Sequence, residues 1–148
     1  MMNSILVKKI EYVLNMLAVL GISTIFIISF ILQFGFHELP CPLCLLQRVG
    51  FTLMAMGFLF NIRFGLRPSH YAIVLLSAVY TAFVAARQVL LHIIPGTGDY
   101  GPPIFGLHMY TWTFILSVII IIVTTLMLGV DRQYEPAHIN NTKYKKYA

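Results

Sequence analysis

Residues 110–130 read YTWTFILSVIIIIVTTLMLGV, an apolar run with no charged side chain. A helix needs ~20 such residues to cross the hydrocarbon core of a bilayer. Three more apolar runs of similar length occur at 13–34, 43–62 and 70–93. None alternates as a half-buried strand would, and in lipid only helices or closed barrels satisfy their own backbone. The expected fold is an all-α integral membrane protein, a four-transmembrane-helix bundle forming one domain over residues 1–148. Composition agrees: of 148 residues, 59% are hydrophobic and 10% charged, and the mean hydropathy is +0.84. A soluble domain carries roughly 25% charged residues, and disorder needs low hydrophobicity with high charge. The first run is too long for a signal-peptide core and no small-residue cleavage site follows it, so it reads as a retained helix.

The positions of the charges orient the chain. Lys8 and Lys9 precede the first run, Arg63 and Arg67 lie between the second and third, and Arg132, Lys143, Lys145 and Lys146 sit in the tail, 131–148. The two other loops, 35–42 and 94–109, contain no Lys or Arg. Eight basic residues against none predicts that both termini are cytoplasmic and that the uncharged loops face the exported side. The net charge of +5 is then a topology signal with some pull on anionic lipid, not a sign of nucleic-acid binding.

Cys41 and Cys44 are the whole thiol inventory. They lie at the exported start of the second run, as Cys41-Pro42-Leu43-Cys44. Proline suits the first helical turn, where its missing N–H costs nothing. Cys41 then falls at or just before the cap and Cys44 one turn in, close enough to bridge. A helix N-terminus favours a thiolate, because its unpaired N–H groups and dipole stabilise negative charge. Arg48 is one further turn along the same face, inside the apolar run, where a charge needs a reason. The motif alone leaves other readings open. The pair is also compatible with two buried cysteines in a non-enzymatic membrane subunit or assembly factor. A metal-handling protein using Cys41, Cys44 and His37 is a third possibility, though two thiolates need two more ligands.

Depth gives a second clue. At 1.5 Å per residue, Arg48 lies roughly 9 Å below the exported end of its run, and Arg87, on the outward-running third, roughly 10 Å below. Gln33, Gln47 and Gln88 fall at similar levels and His92 a little higher. Such a polar layer would hydrogen-bond a small polar head while apolar helices surround a lipid tail. The alternatives are snorkelling for Arg87 and plain interfacial placement for His92. Loop 94–109 is rich in Gly and Pro, and Tyr110 and Trp112 fit an interfacial aromatic belt.

The stretch Cys41-Pro-Leu-Cys44-Leu-Leu-Gln47-Arg48 resembles the redox motif of the disulfide bond formation protein B (DsbB) family. Ala85-Ala-Arg87-Gln88-Val-Leu-Leu-His92 is similar to that family's third span. Gly106-Leu107-His108-Met109-Tyr-Thr-Trp112 is similar to its entry into the fourth. The resemblance implies a thiol:quinone oxidoreductase of the bacterial inner membrane, with its active site on the periplasmic side. Such a protein reoxidises a periplasmic thioredoxin-like (DsbA-like) thiol oxidase and passes electrons to ubiquinone or menaquinone. It further implies catalytic Cys41 and Cys44, with Cys41 exposed to the incoming thiol and Cys44 facing the quinone. Arg48, with Arg87, Gln88 and His92, would complete the quinone site. One departure matters: standard members carry a second cysteine pair in the second exported loop, and residues 94–109 contain none. Either the partner's thiolate attacks this pair directly or another polypeptide supplies the missing dithiol.

Overall fold

The computed structural model describes residues 4–35, 41–94, 96, 98, 103 and 105–130. Among them are four helices, α1 (Ser4–Gly35), α2 (Pro42–Phe64), α3 (Pro68–Leu91) and α4 (Met109–Leu128). Each is long and apolar enough to cross a membrane, which makes this a multi-pass membrane protein. The helix α1 begins nine residues before the expected 13, because Lys8, Lys9 and Glu11 do not interrupt it. At 1.5 Å per residue it is ~48 Å long, more than the ~30 Å hydrocarbon core requires.

Consecutive helices pack against each other, α1 on α2, α2 on α3 and α3 on α4. The start of α1 and the end of α4 meet at one end of the bundle, where Leu14, Ala18, Val123, Thr124 and Met127 line a shared apolar groove. The cysteine pair occupies the other end. Lipid tails are as apolar as leucine, so close backbone approach does much of the work of joining helices. Two glycines of α2 allow it. A side chain at Gly50 would collide with Thr81 of α3, and one at Gly57 would come within 2.6 Å of Val74. Around these contacts lies the core of Ile22, Phe51, Met54, Phe58, Val74 and Ala78. The turn between α2 and α3 is tight: Gly65 takes a φ of 89° and Pro68 opens the next helix.

The end of the bundle away from the cysteines holds a polar knot that the sequence reading did not anticipate. Asn15 and Asn61 are fully buried, as is Tyr71, and Glu11 is 5% exposed. Asn15 Nδ2 donates to the Glu11 carbonyl (2.7 Å) and to Tyr71 Oη (3.0 Å), whose hydroxyl donates to Glu11 Oε2 at 3.4 Å. Asn61 Nδ2 donates to Asn15 Oδ1 at 3.1 Å. Asn61 Oδ1 accepts from the Arg67 amide (3.3 Å) and from His70 Nδ1 (3.1 Å). The knot ties α1, α2, α3 and their connecting turn together. By contrast the Thr124 hydroxyl, 1% exposed, is buried without a hydrogen-bond partner among the described residues. Its neighbour Thr125 bonds the carbonyl one turn back, at Ile121.

Candidate active site

The head of α2 builds the site. Cys41 is its N-cap, in extended backbone with φ −70° and ψ 151°, and Pro42 opens the helix. The Cys44 amide donates to Cys41 Sγ at 3.0 Å, so a sulfur fills the place of the usual capping oxygen. One helical turn separates the residues, their Cα atoms are 5.1 Å apart, and they form a disulfide.

A side chain from α3 completes the sulfur environment. Gln88 Nε2 lies 3.2 Å from Cys41 Sγ and 3.6 Å from Cys44 Sγ. Its Oε1 accepts a 2.7 Å hydrogen bond from Gln47 Nε2. That bond fixes the Gln88 amide, turning its NH2 group toward the sulfurs, which carry no proton to give. Gln88 is fully buried and Gln47 is 5% exposed, so water does not compete. The close approach at Gly50 and Thr81, one turn below Gln47, brings α3 near enough for Gln88 to reach across.

Exposure of the two cysteines runs opposite to the resemblance. Cys41 is 4% exposed, whereas Cys44 is half-buried. The cap position folds the Cys41 side chain back over the first turn and under Gln88. Cys44, within that turn, stays open on one side.

Arg48 is half-buried and turned toward α1. Its guanidinium donates to Gln33 Oε1 (2.7 Å), to Ser29 Oγ (2.8 Å) and, at 3.5 Å, to the Ser29 carbonyl. Its Cζ stands 5.1 Å over the Phe30 ring. Phe26, Phe30 and Phe34 stack along α1 with centroids 6.4 and 6.2 Å apart. Phe30 and Phe34 are exposed. Ser29 and Phe30 were missed from sequence. The signal available was the i, i+4 pair Ser29 and Gln33, two polar residues on one face of an apolar helix.

The remaining expected residues are dispersed. Gln88 contacts the sulfurs. His92 caps α3, with Nδ1 donating to the Gln88 carbonyl at 2.7 Å and its ring stacked on Tyr110 at 5.3 Å. That bond links it to the site through the Gln88 backbone. Arg87 is exposed on α3 and does not join the cluster. His37 lies outside the described residues, as does the tail 131–148. No three His, Cys, Asp or Glu side chains gather into a metal site among the described residues.

A comparison with known protein families identifies one. The family model of the disulfide bond formation protein DsbB matches residues 11–99, more than half of the chain. The match takes in α2, α3, most of α1 and the cysteine pair, and stops short of α4 and of residues 106–112. No curated protein and no solved structure matches the chain. A membrane bundle with a disulfide at a helix head, matched over that head and both flanking helices, belongs to the DsbB family of disulfide-forming membrane oxidoreductases.

Proposed function

We propose that the protein is a thiol:quinone oxidoreductase that draws electrons from a thioredoxin-like dithiol partner and delivers them to ubiquinone or menaquinone. The observation that carries this reading is the adjacency along one helix of a donor-held disulfide, Cys41–Cys44, and a guanidinium, Arg48, set beside an aromatic ladder. The residues fit a quinone. Arg48 has five N–H donors and spends only some of them on Gln33 and Ser29. Phe30 and Phe34 are exposed beside it and offer apolar surface to a ring and tail.

Quinone, when bound, would supply a two-electron, two-proton acceptor. The chain's own residues prepare that transfer. Arg48 would hold a ring oxygen by a charge-assisted hydrogen bond. Ser29 and Gln33 keep the guanidinium in place. The cysteine pair takes electrons by thiolate–disulfide exchange with the partner. Without a second cysteine pair in the chain, the partner's thiolate meets Cys41–Cys44 itself, or a dithiol from another polypeptide does. The charge distribution of the loops supports placing this end of the bundle on the periplasmic side of a bacterial inner membrane.

The test is oxidation of a reduced thioredoxin-like protein by vesicles containing the purified chain. The reading expects oxidation that saturates with added quinone and vanishes in Cys41→Ser and Cys44→Ser. Quinone-independent oxidation, or full activity in either variant, would overturn it.

A further inference from the structure

We infer that Gln33 is a second quinone-binding residue, and that with Arg48 it forms a cradle of hydrogen-bond donors that takes the oxidised ring in preference to quinol. The inference rests on the quinone site proposed above and names the form of the ligand that site holds.

The orientation of one amide carries it. Gln33 Oε1 accepts from Arg48 Nη1 at 2.7 Å. That bond turns the oxygen toward the cation and leaves the NH2 group, on the same carbon, with both hydrogens to place. Among the described residues nothing accepts from Gln33 Nε2. Arg48 shows the same surplus. Nη1 gives one hydrogen to Gln33, and Nη2 gives to Ser29 Oγ at 2.8 Å and to the Ser29 carbonyl at 3.5 Å. Nε–H and the second Nη1 hydrogen have no acceptor among the described residues. Glu11, the only acidic residue among those described, lies at the other end of the bundle. Phe30 covers one face of the guanidinium, so a further partner meets it at its edge.

Acceptors are scarce at the same place. Gln33 Oε1 and Ser29 Oγ both face the guanidinium, and an oxygen already bonded to a cation is a poor acceptor for anything else. The cluster lies roughly 9 Å along α2 from Pro42, in an apolar setting where an unmade hydrogen bond is costly. Its donors call for an oxygen that accepts and brings no hydrogen of its own. A quinone carbonyl is such an oxygen. A quinol hydroxyl carries a hydrogen that needs an acceptor, and the oxygens here are taken. Gln33 and Arg48 therefore hold the ring while it can still take electrons and loosen their grip once it is reduced.

A role confined to positioning Arg48 is separable from donation to the ligand. Gln33→Glu still accepts from Arg48 but has no N–H to give, and it adds an acceptor for a hydroxyl. Gln33→Met removes donor and acceptor together. The experiment uses the full chain in detergent with Cys41 and Cys44 both replaced by serine, so that neither ring form reacts. Dissociation constants for a short-chain ubiquinone and for its quinol are read from ligand-dependent thermal stabilisation. Quinone should bind more tightly than quinol. Gln33→Met should weaken quinone about three- to tenfold and change quinol little. Gln33→Glu should weaken quinone at least as much and strengthen quinol. Equal effects on the two ligands, or no effect on either, would overturn the inference. A second measurement needs no change at Gln33. In the infrared spectrum of bound quinone labelled with carbon-13 at its carbonyls, one C=O band should fall below the other. Two bands left at the unbound frequency would overturn the inference as well. If reduced wild-type protein reduces quinone while the preference is indifferent to Gln33, this inference fails alone. If the preference depends on Gln33 while wild-type protein never reduces quinone, the oxidoreductase reading fails alone.

Discussion

Arg48 of α2 is bonded to Gln33 of α1 at 2.7 Å, with Ser29 one turn away on the same helix taking a second guanidinium N–H at 2.8 Å. The cation is thereby held against α1, while Gln88 reaches the sulfurs from α3. Two polar systems thus flank the head of α2, one donating to the sulfurs and one fixing a guanidinium in an apolar setting.

That division gives Arg48→Lys a specific consequence. Lysine keeps one cation but loses the planar array of donors that serves Gln33 and Ser29 and, in the proposed function, would serve a quinone oxygen as well. Losing one charge-assisted hydrogen bond costs about 1.5–3 kcal/mol. The quinone KM should rise roughly ten- to a hundredfold. Glutathione exchange at Cys41–Cys44 should change far less, and Arg87→Lys should leave the KM near wild type. Steady-state kinetics over a range of quinone concentrations check all three.

Gly50→Val tests the close approach that sets the site. A branched side chain there drives into Thr81 and pushes α3 from α2. Overpacking of this kind costs about 1–3 kcal/mol. It should also loosen the Gln47–Gln88 bond and so the Gln88 contact with the sulfurs, making the disulfide quicker to react with dithiothreitol. Thermal unfolding in detergent and the rate of disulfide reduction together measure both effects.

The polar knot at the opposite end predicts a pure stability effect. Asn61→Leu leaves Asn15 Oδ1, the Arg67 amide and His70 short of a partner. Interhelical hydrogen bonds in membranes average ~0.6 kcal/mol, and several are lost together. A destabilisation of about 1–3 kcal/mol is expected, with disulfide exchange unchanged. Thr124→Val should act in the other direction, because it deletes a buried hydroxyl that has no partner among the described residues. It should stabilise by up to about 1 kcal/mol. Unfolding in mixed micelles with increasing sodium dodecyl sulfate ranks the two.

The loop charges predict sidedness. A periplasm-active reporter fused at Gly98 should be active and one fused after Ala148 inactive. Activity of the tail fusion would invert the bundle and put the cysteine pair on the cytoplasmic side.

How much of this was legible in the sequence depends on whether a relationship is local. The cap at Cys41, the start at Pro42 and the bridge to Cys44 involve neighbours within one helical turn, and their spacing alone predicts the arrangement. Arg48 could be placed at a depth but not against a partner, because its partners, Ser29 and Gln33, belong to another helix. Gln88 could likewise be placed at the right level. Whether it faced a quinone or the sulfurs depended on the register of α3 against α2, which Gly50 and Thr81 set. The exposure of the two cysteines depended on the same register. In the polar knot only Glu11 and Asn15 share a helix at i, i+4 spacing. Asn61, His70 and Tyr71 are isolated polar residues until the turn at Gly65 folds α3 back on α2.

The central claim is that electrons on Cys41 and Cys44 pass to quinone. The most direct measurement mixes the purified, fully reduced protein anaerobically with a soluble quinone and counts free thiols and quinol with time. The account predicts the loss of two thiols per chain for each quinol formed, with the Cys41–Cys44 disulfide recovered by mass spectrometry. Two thiols that persist under excess quinone, in protein that still oxidises with a small disulfide, would contradict it.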